Sequence, residues 1–166
     1  SYDGRDFGET PWGKELLDFV KLELESLKET LDKAVDTVNS TSSLEKYLPV
    51  FQDDLKSIDK LLEICKSKNK WDNLCLGFQT LEFGRLPALG KDADRESQDY
   101  VKKIRNTVKE RLNKTKNKIF NAESAQIFAD LKKVYPLLKS LTELVSDFAS
   151  KYSTKKNNKN MVDFND

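Results

Sequence analysis

Histidine is absent from this 166-residue sequence, and its absence removes whole classes of functional site. Without imidazole, the chain lacks the side chain whose free pKa lies nearest neutrality, and with it most catalytic triads and zinc sites. The two cysteines cannot by themselves supply the four ligands of a structural zinc site. We therefore predict that the protein is not an enzyme, with no catalytic residue, no metal and no cofactor.

Long apolar runs are also missing. No stretch approaches the roughly 20 apolar residues that a membrane-spanning helix needs. Residues 84–91 resemble a phosphate-binding loop because they begin with Gly84 and end with Gly90 and Lys91. The spacing between the two glycines is one residue too long, however, and Asp92 occupies the position where serine or threonine is required. These observations argue against a membrane span and against nucleotide binding by this loop.

Helical periodicity is the strongest positive signal in the sequence. Four segments carry apolar residues at the alternating three- and four-residue spacing that places them on one helical face. These seams are Leu17, Val20, Leu24, Leu27, Leu31, Ala34 and Val38; Leu44, Leu48, Phe51, Leu55, Ile58, Leu62 and Cys65; Val101, Ile104, Val108, Leu112, Thr115 and Ile119; and Ile127, Leu131, Val134, Leu138, Leu141, Val145, Phe148 and Tyr152. We predict an all-α fold, an elongated antiparallel four-helix bundle made of two helical hairpins.

Local signals predict where these helices begin and bend. Thr10 is a suitable N-cap with Pro11 at the first helical position, and Asp92 or Asp94 can cap the third long helix. Pro49 falls near the start of the second helix, and Pro136 is expected to kink the fourth without ending it.

Residues 68–93 differ from the rest of the chain because apolar side chains alternate with glycine and proline there. We predict a short fifth helix over residues 72–81 followed by an irregular stretch between the two hairpins. The whole chain is expected to comprise a flexible segment at 1–9, one helical-bundle domain at 10–152 and a flexible Lys/Asn-rich tail at 153–166.

The two cysteines suggest a compartment. Cys65 and Cys75 are close enough in sequence for a local disulfide, which favours an oxidising environment, although Cys65 could equally be a buried thiol that continues its seam. Asn39 and Asn113 match the N-glycosylation pattern. We predict a secreted, disulfide-bonded glycoprotein.

Charge is segregated along the chain although the net charge is only +1. The first helix is acidic, whereas the third carries eight cations and one acid between Lys102 and Lys118. Lys102, Lys109 and Lys116 recur every seven residues, which predicts a basic stripe on the outer face. The predicted binding residues are Lys102, Lys103, Arg105, Lys109 and Lys116. The alternative is a solvated face that pairs loosely with the acidic first helix.

A second candidate site is aromatic. Trp71, Phe78, Phe83 and Tyr100 could line an apolar ligand pocket between helices, and packing across the end of the bundle is the competing interpretation.

These patterns predict a secreted, non-enzymatic helical protein that binds a macromolecular partner, for example as a host-directed or immune-modulating factor. The partner would be an acidic protein, a sulfated glycan or another anionic surface. Nucleic acid is the least favoured partner because the net charge is near zero and no binding motif is present. A carrier of a small hydrophobic ligand or lipid is the alternative, and self-association of the seams into a weak dimer is a third interpretation.

Overall fold

The computed structural model describes residues 4–158 and contains five α-helices. They are α1 (Pro11–Ser40), α2 (Leu48–Ile64), α3 (Lys70–Gln79), α4 (Arg95–Lys118) and α5 (Ser124–Asn158), with 3-10 helices at Phe7–Glu9 and Ser42–Tyr47. No strand occurs in the described part of the chain. The predicted all-α class, with antiparallel helix packing, four long helices and a short one between them, is confirmed.

The chain divides into two compact units, residues 1–125 and residues 126–166. The first unit contains α1 to α4 and both 3-10 helices, and the second consists, in its described residues, of α5 alone. Residues 153–158, predicted to start a flexible tail, continue α5, and the remainder of that tail lies outside the described residues.

Local capping explains where the long helices start. The Thr10 hydroxyl accepts the Gly13 amide at 2.9 Å, with Pro11 at the first helical position, as predicted. Asp94 caps α4 by accepting the Glu96 amide at 3.1 Å. Pro49 lies in the first turn of α2, where its missing N–H leaves no intrahelical bond unmade.

The core of the first unit is built on the predicted seam of α1, every residue of which is buried. α2 and α4 bury only part of their predicted seams. α2 buries Asp54 and Leu61 where the pattern favoured Leu55 and Leu62, and α4 buries Arg105 where it favoured Ile104. These two helices therefore bring the charged side chains of Asp54 and Arg105 into the interior.

α2 and α4 run in the same direction. The Gln98 amide donates to the Tyr47 hydroxyl at 2.8 Å, and seven residues further along each segment Arg105 binds Asp54. The stretch between α3 and α4 runs back along the first unit. It starts where Gln79 lies near Lys116 at the end of α4, and it ends where the Asp94 amide donates to Ser43 beside the start of α2. The irregular residues after α3 therefore pack along the first unit.

Replacing Gly13 by alanine is expected to lower stability by about 1–2 kcal/mol, although alanine is the better helix former by about 1 kcal/mol. A methyl group at Gly13 would overlap the Phe7 carbonyl and the Gly8 backbone, which pack on the first turn of α1. Thermal unfolding followed by circular dichroism measures the loss. The control is Ser26→Ala on the exposed face of α1, and a stabilised Gly13→Ala protein would contradict the expectation.

Candidate functional site

The basic run of α4 divides into two groups once the helix is folded. Lys103, Lys114 and Lys118 are exposed, whereas Lys102, Lys109 and Lys116 are half-buried, and the last two meet residues 79–83. The Lys109 ammonium lies 5.3 Å from the centre of the Phe83 ring, and that of Lys116 lies 3.5 Å from the Gln79 carbonyl oxygen. The seven-residue stripe is therefore an edge of the helix and not its outer face.

Arg105, predicted as part of the basic face, lies in the interior with 4% of its surface exposed. Its guanidinium donates to both oxygens of Asp54, at 2.5 and 3.1 Å, and to the Gly84 carbonyl at 2.7 Å. Burial raises the pKa of the Asp54 carboxyl, and the hydrogen bond and charge of Arg105 oppose that rise. Arg105 is thus unable to meet an external partner.

The second arginine of the run, Arg111, is held in a two-pronged ion pair with Glu23 of α1 at 2.7 and 2.5 Å. The remaining cations of this run are all lysines, of which three are exposed and three are half-buried. We define the α4 basic surface as the following six lysines of α4: Lys102, Lys103, Lys109, Lys114, Lys116 and Lys118. Lys114 and Lys118 belong to the same lysine-rich run but were not among the predicted binding residues.

The four aromatics predicted to line a pocket do not share a cavity. Trp71 and Phe78 are buried and pack against Phe120, with ring centres 5.0 and 4.9 Å away. Phe83 lies half-buried beside Lys109, and Tyr100 is 48% exposed on α4. Trp71 and Phe78 thus pack in the core, as the competing interpretation held.

An open groove of about 440 Å³ lies between α2 and α3 and contains none of those four aromatics. Its lining includes the apolar residues Leu61, Ile64 and Leu76 and the charged residues Lys60 and Glu82. Among the described residues, no group of three acidic, cysteine or histidine side chains is placed to hold a metal ion.

Cys65 and Cys75 are free thiols, so the predicted disulfide was wrong. Cys75 lies inside α3 and its thiol donates to the Ala122 carbonyl at 3.3 Å. Burial raises the pKa of Cys75 to about 12 and also raises the pKa of Cys65. Both groups are therefore protonated near neutral pH and are poor nucleophiles.

The two predicted glycosylation sites, Asn39 and Asn113, are exposed within α1 and α4 and not in loops. No helix in the described part of the chain combines the length and apolarity that crossing a membrane requires.

Comparison with known proteins identifies relatives along nearly the whole chain. It is 45% identical over 166 residues to an ATP-dependent helicase/nuclease subunit from Acetivibrio thermocellus. It is 42% identical over 163 residues to the protein of the same name from Ruminiclostridium cellulolyticum, and 40% identical over 162 residues to that from Clostridium novyi. The alignments cover 99%, 98% and 97% of this chain but 13% of each relative. No model of a known protein family matches the sequence.

These similarities correct several predictions. The secreted, non-enzymatic binding protein was wrong, as was the lipid-carrier alternative, because the matching region belongs in each relative to one subunit of an ATP-dependent enzyme. The low rank given to nucleic acid as a partner was wrong, since the relatives are helicase/nuclease subunits. The secreted location and the glycoprotein assignment were wrong too, because the disulfide that favoured them is absent and such relatives do not fit them. The chain is thus similar, along almost its full length, to one region of much longer helicase/nuclease subunits.

Proposed function

We propose that this chain is a helical region of a longer ATP-dependent helicase/nuclease polypeptide and that it holds nucleic acid against the α4 basic surface. The observation that carries the proposal is the 40–45% identity to three helicase/nuclease subunits over 97–99% of the chain. The α4 basic surface supplies the chemistry, because six lysines project from one helix with Glu110 as the only acid between Lys102 and Lys118.

The dimensions of α4 suit a phosphate backbone. From Lys103 to Lys118 the helix rises about 22 Å, at 1.5 Å per residue. Successive phosphates of one strand advance about 3.4 Å along a duplex, so flexible lysine side chains spread over this length can reach several of them. Binding of this kind releases counterions and is strongly salt-dependent.

The identity of the cations favours binding without sequence preference. Arginine is the residue that most often reads guanine edges, because its fork of donors matches two acceptors. Arg105 and Arg111 are both held by carboxylates of the same chain, so the remaining cations of this run are lysines, which act as point charges on phosphate. A surface that ignores sequence suits a protein that must work on any stretch of nucleic acid.

The net charge of +1 conceals this surface because the balancing acids lie on another helix. The exposed and half-buried acids of α1 are Glu15, Asp18, Glu23, Glu25, Glu29, Asp32 and Asp36. Charges of opposite sign separated on different faces leave the local field of α4 positive, especially at low ionic strength.

We assign this region a binding role and leave ATP hydrolysis and strand cleavage to other parts of the longer polypeptide. The stretch from Gly84 to Gly90 has a structural task, since the Gly84 carbonyl accepts the Arg105 guanidinium. Asp92 also occupies the position where a phosphate-binding loop needs a hydroxyl.

The triple substitution Lys103→Glu, Lys114→Glu and Lys118→Glu is expected to weaken binding to a labelled 30-nucleotide mixed-sequence DNA by at least 30-fold at 50 mM salt. Reversing three charges also lowers the slope of log affinity against log salt by about 2–3, because each phosphate contact contributes about 0.7–0.9. Fluorescence anisotropy measures both quantities, and an unrelated sequence of equal length should bind equally well.

The matched control replaces three exposed lysines outside α4, Lys21, Lys33 and Lys46, by glutamate. It changes the net charge by the same amount but is expected to weaken binding less than 5-fold. Equal losses for the two triple variants would show that overall charge governs binding, and no loss in the α4 variant would remove α4 as the nucleic-acid surface.

A further inference from the structure

The second compact unit presents a large apolar surface on a single helix. Nine large apolar side chains of α5 between Leu131 and Phe148 are from 37% to 71% exposed. They are Leu131, Val134, Tyr135, Leu137, Leu138, Leu141, Leu144, Val145 and Phe148. Exposed apolar patches of this extent are rare on proteins that act alone and mark surfaces that bind another partner.

The nine residues occupy one side of α5. At 100° per residue they cover about half of the helix circumference, and no charged residue between Leu131 and Phe148 falls within that half. The opposite side is polar and includes Ser140, Ser146 and the Lys139–Glu143 ion pair at 3.9 Å. α5 is therefore strongly two-sided.

A lone helix gains little stability from its own hydrogen bonds, and most helices in proteins are held by packing of an apolar face. Removing a large apolar side chain from water is favourable, and nine such side chains therefore represent a large free energy that a covering surface would recover. A wide, uncharged face of this kind is typical of permanent interfaces and interiors, whereas transient interfaces have a mixed polar composition.

We infer that the apolar face of α5 is the docking surface for the rest of the same polypeptide in the longer helicase/nuclease protein. This inference rests on the proposed function. The relatives contain the region equivalent to this chain as 13% of their length, so a long stretch of polypeptide is joined to it and held at high effective concentration. The occupant is thus an apolar surface formed by residues outside this region and covalently continuous with it.

Hydrogen exchange measured by mass spectrometry tests the inference on two proteins. In the 166-residue chain alone, amides at 130–150 are expected to exchange at least 100-fold faster than those in the middle of α1. In the full-length helicase/nuclease relative from Acetivibrio thermocellus, the helix that aligns with α5 is expected to be protected at least 100-fold more than in the isolated chain. Both measurements omit nucleic acid, so they succeed or fail independently of binding by α4.

Two outcomes would overturn the inference. One is fast exchange of the equivalent helix in the full-length relative. The other is strong protection of α5 in the 166-residue chain, which would mean that a second copy or residues 4–125 cover the face. Light scattering on the same sample separates these, since a second copy doubles the mass.

A pair of variants gives a second measurement on the isolated chain. Leu138→Asp with Leu141→Asp places charge in the middle of the apolar face and is expected to reduce binding of the dye ANS at least 5-fold. Ser140→Asp with Ser146→Asp adds the same charge to the polar side and is expected to leave dye binding unchanged. Equal dye binding by all three proteins would place the exposed apolar surface elsewhere and contradict the inference.

Discussion

Arg105→Ala is expected to lower the free energy of unfolding by about 3–5 kcal/mol, the range found when one partner of a buried ion pair is removed. The side chains of Arg105 and Asp54 are 5% and 2% exposed, so neither charge is hydrated in the folded protein. Removing the guanidinium leaves the Asp54 carboxylate buried without its partner. It also removes the donor to the Gly84 carbonyl and the contact with the Phe83 ring.

Urea unfolding followed by tryptophan fluorescence and circular dichroism measures the loss. Arg111→Ala is the matched control, because its ion pair with Glu23 is partly exposed and is expected to contribute no more than about 1 kcal/mol. Equal losses of stability for Arg105→Ala and Arg111→Ala would show that burial does not strengthen the Arg105–Asp54 pair.

The dependence on pH gives a separate test of the same variant. Burial raises the pKa of the Asp54 carboxyl, and Arg105 opposes that rise. Without Arg105 the folded-state pKa of Asp54 rises further above its value in the unfolded chain, so the folded protein takes up a proton more readily. A raised folded-state pKa of a carboxyl group stabilises the folded protein at low pH, and this stabilisation is lost as the pH rises through that pKa. The loss of stability caused by Arg105→Ala should therefore shrink as the pH falls from 7 to about 4.5, near the ordinary range of a carboxyl group.

Replacing the pair by apolar residues distinguishes pairing from burial. Asp54→Leu with Arg105→Met removes both charges together, and swaps of this kind are often neutral or stabilising. We expect the double variant to recover most of the stability that Arg105→Ala loses. A double variant no more stable than Arg105→Ala would indicate that the loss of stability comes mainly from the missing hydrogen bond to the Gly84 carbonyl.

This ion pair also explains how far the sequence alone could predict the core. Apolar periodicity predicted α1 correctly because its buried positions are all apolar, from Leu17 to Val38. In α2 and α4 the same rule chose Leu55 and Ile104 and missed the charged residues beside them. Two partners 51 residues apart satisfy each other in the interior, and a pattern read one helix at a time contains no information about such a match.

The candidate site shows the same limit. The lysine-rich composition of α4 is visible in the sequence, but the rotation of the helix decides which lysines meet solvent. Because α4 buries Arg105 and Thr115, Lys109 and Lys116 fall on an edge and Lys103 and Lys114 are turned outward. The seven-residue repeat of lysines alone could not show which lysines lie on the edge and which are turned outward, since both groups belong to the same helix.

Function was predicted wrongly because features of the whole sequence, such as its net charge, were given more weight than the local concentration of lysines on α4. A near-zero net charge argued against nucleic acid, and a pair of neighbouring cysteines suggested an extracellular protein; each observation is correct by itself. The acids that neutralise α4 reside on α1, and Cys75 is inside α3 with its thiol on the Ala122 carbonyl. The helix period of α5 was likewise evident, but no periodicity can identify what covers an apolar face.

Residues 4–9 show how a segment that was predicted to be flexible can organise the fold. α3 begins at Lys70 after Asn69, which has a left-handed backbone conformation and makes no capping bond with its side chain. The free amides at the start of α3 are met instead by Asp6, whose carboxylate accepts the Trp71 amide at 3.2 Å and the Asp72 amide at 3.3 Å. A helix cap is thus supplied from 65 residues away in the sequence.

The contacts continue in a ring around that cap. Asp6 also accepts the Gly8 amide at 2.8 Å, and Phe7 packs edge-on against Trp71 with ring centres 4.6 Å apart. The Phe7 amide donates to the Ser124 hydroxyl at 2.8 Å, and Asp72 accepts the Ser124 amide at 2.7 Å. Asp6 therefore connects the N-terminal segment to α3, and its neighbours in this contact, Phe7 and Asp72, both form hydrogen bonds with Ser124.

Asp6→Ala is accordingly expected to cost about 2–3 kcal/mol, because the carboxylate is buried and its loss leaves several backbone donors without a partner. Asp6→Asn retains one acceptor oxygen and is expected to lose about half as much. Urea unfolding measures both, and hydrogen exchange should show the largest acceleration at the first turn of α3.

The comparison with Asp94→Ala makes the test specific to long-range capping. Asp94 is an exposed cap that serves the helix directly after it, so its removal loosens the first turn of α4 and little else. Asp6→Ala should exceed it in cost and should also expose Trp71, which shifts the fluorescence maximum to longer wavelength. Equal costs, with no change in tryptophan emission, would mean that residues 4–9 lie on the fold without stabilising it.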